Sequence, residues 1–582
     1  MSRAKWFVMA LVAIMLLGPA LVACQPEVVV QTKLVEVEKE VEKEVEKIVK
    51  ETVVVTEKEV VEIAVTPEPE KELEGTIVIS LSGNDTQTWE NVAMAYEALH
   101  PKVDVRVELK PGEGYQEWIR AQFAAGTPEA SFMGANVVAD LLNAGKFLDL
   151  APYFDKTSPY TDQPWRDDME EWAVDAMTDP IEGKAYVLNL ETVQVLWFYN
   201  KRIFEEVGIT EVPSQPTWDE FIGWCQKIKD AGYIPFAIEG NYDSFWSMRI
   251  GWMVRTYSDQ YTRHEQPITR CQPDDWCWRE GIDDKWEYDP TDPFNDDPDK
   301  VTFNGVRQYK ALWEGDIDVN GPGWRDMYEN LAELFGPMTQ PGWIGTTDAL
   351  PLFLTQRAAI WLDGAWFFTT FEKNIQSLAE GTYGAGAEDA TPVPGAERAE
   401  VFEIGSFNFP SMTGELVDAP ARTIEVNIGF WGIPKKDQAQ NDLEVDFLMF
   451  MTSPQGFGIY LRNKLDQNNL NGGINGPPVV KNVSLPQVYA DRFANIKFIG
   501  NQQKAGPGNW RCRGVADYQP QVRTWVDLNQ QFFSGQLEIQ EFLDACQANI
   551  MDSFEEMLTE HLRWAEGLAA LDTPEKQPEK IE

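Results

Sequence analysis

Thr76-Ile77-Val78-Ile79-Ser80-Leu81 runs directly into Ser82-Gly83-Asn84-Asp85, and this junction decides how the chain is read. A short run of β-branched and apolar residues that ends in a polar, glycine-bearing loop predicts a buried strand opening into a turn. Trp89, Val92, Ala93, Tyr96 and Leu99 then recur with helical spacing up to Pro101. Val103, Val105, Val107 and Leu109 alternate as a second strand. A helix around Trp118 to Ala125, the apolar Ala130-Ser131-Phe132-Met133 and a helix from Val137 to Ala144 continue the series. Strand, helix, strand, helix at this spacing predicts an α/β fold with a parallel sheet between helices. Ligands of such sheets bind beyond the carboxyl ends of the strands. That rule singles out the loops 82–87 and 134–136, and in them Asn84, Asp85 and Asn136.

Outward from this core, the N-terminal side is of a different kind. Arg3 and Lys5 precede an apolar run from Trp6 to Leu17, and Leu21-Val22-Ala23-Cys24 follows. The run is short for a membrane span and has the form of an export signal over 1–24. Leu-x-Ala-Cys resembles the bacterial lipobox, which implies lipidation at Cys24 and a tether to the outer face of a membrane. Residues 25–74 carry 15 Glu against 7 Lys. Val41, Val45, Ile48 and Thr52 permit a short helix or coiled coil, but the dense like charge favours a solvated, self-repelling stalk.

Composition limits the chemistry. The 582 residues carry 94 acidic and 49 basic side chains, a formal charge of −45, which argues against nucleic acid as a ligand. His100, His264 and His561 are the only histidines, and no Cys spacing is a zinc pattern, so neither metal nor cofactor is expected. Cysteines in an exported chain tend to pair. Cys271 and Cys277 lie close enough in sequence to close a small loop, Cys512 and Cys546 are a second candidate pair, and Cys225 is left over. The 22 tryptophans point towards a ligand with flat apolar faces.

A series of motifs carries a family resemblance. Ala144-Gly145-Lys146-Phe147-Leu148-Asp149-Leu150, Gly183-Lys184-Ala185-Tyr186 and Trp197-Phe198-Tyr199-Asn200-Lys201 come first. Pro216-Thr217-Trp218-Asp219-Glu220-Phe221, Phe353 to Ile360 with Gly364-Ala365-Trp366, Asp446 to Pro454, Gly476 to Lys481 and Ser534 to Leu537 follow. In this order they resemble the family 1 extracellular solute-binding proteins of maltose-binding type. The family's small basic pair before Ala-Ala is replaced by Gln356-Arg357, and residues about 257–300 are an insertion. The acidic run 289–299 in it lacks the spaced carboxylates of a calcium loop and is expected to be solvated.

The resemblance implies a type II clamshell of two lobes that close by hinge motion. Lobe 1 would take 75–190 and 427–472, and lobe 2 would take 193–423 and 476–560. A C-terminal tail covers 561–582. Crossings are expected near 190–193, 423–427 and 471–476. The implied function is capture of a sugar or oligosaccharide for an ATP-driven (ABC) permease by a lipid-anchored monomer outside the cytoplasmic membrane, without catalysis. Sugars need stacking aromatics beside carboxylates and amides. Trp366 matches the family's cleft tryptophan; Trp246, Trp431 and Trp510 are further candidates for stacking, and Glu191 and Asp363 for hydrogen bonding, with Asn84, Asp85 and Asn136. A cationic ligand such as a polyamine, attracted by the acidic surface, is the rival reading. A glycoside hydrolase needs a paired set of carboxylates that nothing in the sequence singles out.

Overall fold

The computed structural model describes residues 72–82, 85–110, 114–138, 141–142, 144–179, 182–246, 248–381, 383, 395–396, 399–466, 468–469, 472–494, 496–500 and 518–581. Export signal, Cys24, stalk up to residue 71, Asn84, Trp510 and Cys512 lie outside them. The compact unit described below is Glu74–Glu582.

Strand β1 (Gly75–Ser82) forms where the apolar run predicts it, with Ile77, Val78, Ile79 and Leu81 buried. It pairs in parallel with β2 (Val103–Lys110) on one side and β3 (Ala130–Phe132) on the other, giving the order β2-β1-β3. Between β1 and β2 the chain crosses over as the helix Thr86–Leu99, whose Trp89, Val92, Ala93 and Tyr96 are buried. Where a helix is expected from Val137 to Ala144, Ala135–Val138 form a 3-10 turn and 141–142 are helical.

A second sheet surrounds β4 (Glu191–Asn200), in the order β5-β6-β4-β7 with β5 (Ile234–Phe236), β6 (Ala358–Gly364) and β7 (Ile404–Phe407). Only β5 and β6 pair in parallel; β4 runs antiparallel to both β6 and β7. The fold is therefore α/β with one parallel and one mixed sheet. The helix Trp218–Asp230 begins at a capping box, Thr217 with Glu220, as Pro216-Thr217-Trp218-Asp219-Glu220 indicates. Its Trp218, Phe221, Trp224 and Cys225 face the larger core with Trp197 and Phe407. A smaller core of Val78, Ile119, Phe132 and Phe147 belongs to the first sheet.

Three segments join the sheets side by side. The first four residues of β4 pair with β8 (Glu425–Ile428), Glu191 opposite Ile428. On the other edge, Thr192 N–H donates to the Pro477 carbonyl at 3.0 Å and Val479 N–H to that of Leu190 at 3.2 Å. Gly476 is required here, because a Cβ would lie 2.2 Å from the Thr192 carbonyl oxygen. Beyond β8 the chain reaches the first sheet, where Phe132 and Gly432 exchange backbone hydrogen bonds of 2.9 Å.

Two expectations are corrected. Residues 561–582 are not a free tail: Trp564, Ala570 and Leu571 are buried in the larger core. The acidic run is not wholly solvated either. Asp296 is buried and pairs with Arg422 at 2.5 Å, beside Asp259 at 2.5 Å from the same guanidinium. Cys271 and Cys277 form a disulfide with Cα atoms 6.0 Å apart. Cys225 and Cys546 are buried.

Candidate functional site

The carboxyl end of β1, the start of β4 and the end of β8 converge on one cavity of about 390 Å³. Leu81, Met133, Leu190 and Ile428 make its apolar lining, Trp89 and Tyr460 its aromatic wall, and Asp85, Glu191, Lys464 and Asn475 its polar edge. An apolar cleft with a few convergent polar groups is the usual form of a small-ligand site.

Asp85 is placed by the helix it starts. As N-cap of Thr86–Leu99 its carboxylate accepts from the Thr88 N–H at 3.4 Å and the Thr88 hydroxyl at 2.9 Å. Lys464, in the last turn of the helix Pro454–Lys464, brings its ammonium to 2.8 Å of Asp85 Oδ2, and the Asn469 amide donates to Oδ1 at 3.0 Å. Burial would raise the Asp85 carboxyl, but the Lys464 charge, with Asn469 and Thr88, outweighs it and holds the group below its ordinary value.

Glu191 stands where the first crossing begins and is 2% exposed. Its Oε2 accepts from the Asn475 backbone N–H at 2.8 Å and the Asn475 side chain at 2.6 Å, while Oε1 has no hydrogen-bond partner among the described residues. Burial, and then the Glu191 charge, push the neighbouring Tyr460 hydroxyl well above its usual value, so it stays a neutral phenol. The Tyr460 ring lies 5.3 Å from that of Trp89. Lys373, from the helix Phe367–Glu380, braces the Lys464–Asn475 segment by donating to the carbonyls of Asn469 at 2.8 Å and Gly472 at 3.1 Å.

Of the sequence candidates, Asp85 and Glu191 come together here. Asn136 lies in the 3-10 turn just beyond Met133, and its side chain is outside the described set. Trp431 is a correction. It is fully buried, edge-on to Trp89 at 5.3 Å, near Phe447 at 5.7 Å, and donates to Ser131 Oγ at 3.0 Å, so its indole packs the core behind the cavity wall. The abundance of tryptophan is largely a packing matter, since Trp165, Trp197, Trp218, Trp361 and Trp525 are fully buried too.

The remaining candidates sit on the larger sheet and do not line the cavity. Trp366 is half-buried, 6.1 Å from Trp252, and lies over Gly364, where a Cβ would come within 2.2 Å of its ring. That contact explains the Gly-x-Trp spacing. Trp246 is half-buried beside Tyr242 at 6.0 Å, with no hydrogen-bond partner for its indole N–H among the described residues. Asp363 is buried and accepts from Arg249 at 3.2 Å and Trp361 Nε1 at 2.9 Å; Arg249 also pairs with Glu239 at 2.9 Å.

That Trp89, Tyr460, Lys464 and Asn475 line the cavity was not legible in the sequence. Trp89 fits the helix's buried stripe, and the other three lie some 370 residues or more further along the chain. Among the described residues, the group able to hold a metal by proximity is Cys271, Asp275 and Cys277, but both sulfurs are engaged in the disulfide.

Residues 82–324 match the family described as bacterial extracellular solute-binding protein. A Mesorhizobium japonicum protein named "Probable sugar-binding periplasmic protein" is 32% identical over 145 residues, 24% of this chain and 31% of that protein. A Brucella abortus protein named as a binding protein is 26% identical over 147 residues, so the chain spans about a third of it, 33%. The structure of a cyclic alpha-maltosyl-1,6-maltose binding protein from Arthrobacter globiformis aligns over 83% of this chain and 100% of its own, with TM-score 0.51 and 13% identity. A secreted solute-binding lipoprotein structure from Streptomyces coelicolor, termed probable, aligns over 81% and 98%, with TM-score 0.51 and 14% identity. Over residues 82–324 the chain is thus similar to bacterial extracellular solute-binding proteins, and its body shares the type II α/β clamshell fold of these two structures.

Proposed function

We propose that the chain captures a sugar or oligosaccharide outside the cytoplasmic membrane and delivers it to the permease of an ATP-driven importer, as a monomer anchored through lipid on Cys24. The observation that carries this reading is the cavity at the crossings, where the Trp89–Tyr460 wall stands beside Asp85, Glu191, Lys464 and Asn475. Aromatic rings suit the C–H faces of a pyranose, and carboxylates, amide and ammonium suit its hydroxyl edge. The three crossings let lobe 1 (75–190 with 427–472) and lobe 2 (193–423 with 476–560) hinge about the cavity. Trp366, Trp246 and Asp363 then belong to the opposite wall, approaching the ligand on closure. A liganded, closed form that docks on the permease better than the open form gives transport its direction. The role is binding and release, without covalent chemistry.

Calorimetry and thermal shift against mono- and oligosaccharides test this. A saccharide should bind and raise the melting temperature, and Trp366→Ala, with its own melting temperature measured alongside, should weaken that binding about tenfold or more. Silence for every saccharide would sink the carbohydrate reading, and unchanged affinity in Trp366→Ala would remove the closing wall.

A further inference from the structure

The cavity holds two carboxylates, and among the described residues only one of them has a counter-charge. Asp85 has the Lys464 ammonium at 2.8 Å. Glu191 is more deeply buried, yet among the described residues no cation pairs with it: Oε2 takes the two Asn475 N–H groups, the carboxylate otherwise meets the neutral Tyr460 hydroxyl, and Oε1 has no hydrogen-bond donor. A buried carboxylate without a counter-charge is costly. A neutral hydroxyl would give Oε1 a hydrogen bond but leave the charge. An ammonium gives both, as a charge-assisted hydrogen bond. The neighbouring Asp85–Lys464 pair is internally neutral, so it does not cancel this preference. The excess of acidic over basic residues in the whole chain further concentrates cations near the molecule.

Resting on the carbohydrate reading above, we propose that the ligand is an amino sugar whose protonated amine pairs with Glu191 Oε1 while its ring lies against Trp89 and Tyr460. The site thereby reconciles the two ligand chemistries that the sequence suggests, the flat sugar face and the cation.

The test is calorimetry on the whole protein with glucosamine oligomers of one to three units, their N-acetylated counterparts, the matching glucose oligomers and spermidine. The free-amine series should bind at least tenfold more tightly than either neutral series at low salt. In Glu191→Gln, checked for folding by thermal melting, the ratio of free-amine to neutral-sugar affinity should fall to within about twofold, whatever the variant does to sugar affinity as a whole. Should that variant not fold, the same comparison on the unaltered protein with rising pH replaces it, because the advantage must vanish as the amine loses its proton. Neutral sugars binding as tightly as the amines overturn the proposal and leave the carbohydrate reading intact. No binding by any saccharide overturns both. Spermidine matching the glucosamine series keeps the charge argument but overturns the amino sugar.

Discussion

Asp85 combines three tasks in one side chain. It caps a helix, neutralises Lys464 and receives the Asn469 amide, tying the end of β1 to a segment nearly 400 residues away. Because its carboxyl is held below the ordinary value, the stability it contributes is present above that value and lost as pH falls through the lower, folded one. Asp85→Asn keeps a cap and a hydrogen-bonding group but leaves Lys464 without its partner. It should cost about 1–3 kcal/mol near neutrality. The loss should shrink towards acid pH, so urea midpoints of the two proteins should converge below the carboxylate range. A gap that widens in acid would contradict the assigned direction. The indoles differ by environment in the same way: Trp366 is only partly buried, whereas Trp431 is fully buried with a ring on its flank and a hydrogen bond on its N–H.

Elements supply what single residues cannot, and the helix Phe367–Glu380 is the clearest case. It starts immediately after Trp366, and its inner face reaches the third crossing through Thr369, whose hydroxyl donates to the Ile474 carbonyl at 3.0 Å, and through buried Lys373. Burial lowers the Lys373 ammonium, opposed in part by Asp85 and Asp466, and its backbone carbonyl partners supply the acceptors it needs. Lys373→Met should therefore free those carbonyls, destabilise the protein by about 1–3 kcal/mol and quicken amide exchange across 464–476. Since Asn469 donates to Asp85, ligand affinity should fall as well. Exchange unchanged in that segment would show that the helix does not hold the crossing.

At the scale of the whole folded body, the insertion about 257–300 is held by a charge network. Arg422 is 1% exposed and contacts Asp259 and Asp296, while Arg263 approaches Asp259 at 3.3 Å. The Asp259 carboxyl would be raised by burial but is lowered overall by the two guanidiniums. Arg422 follows the same elements that lead into β8, so the network joins the insertion to the second crossing. Removing one partner of a buried pair leaves an uncompensated charge, and Arg422→Ala should cost about 3–5 kcal/mol. Denaturant unfolding measures this; a loss below about 1 kcal/mol, the range of exposed pairs, would refute the buried network.

Local sequence determined what depends on near neighbours. The Thr76–Leu81 strand, the Trp89–Leu99 helix and the Thr217–Glu220 capping box follow from side-chain periodicity and hydrogen bonds spanning a few residues, and motif order indicated the clamshell. Asp85 and Glu191 were legible because strand ends and crossings are marked by position along the chain. Tertiary structure alone decided which indoles line the cavity, which acidic residues are buried and what completes the cavity. Tyr460, Lys464 and Asn475 reach Asp85 and Glu191 only after the chain returns across both sheets, and Trp431 is covered only once Trp89 and Phe447 pack on it. Burial and counter-charge are properties of what lies nearby in space, and local spacing carries no record of a partner several hundred residues away.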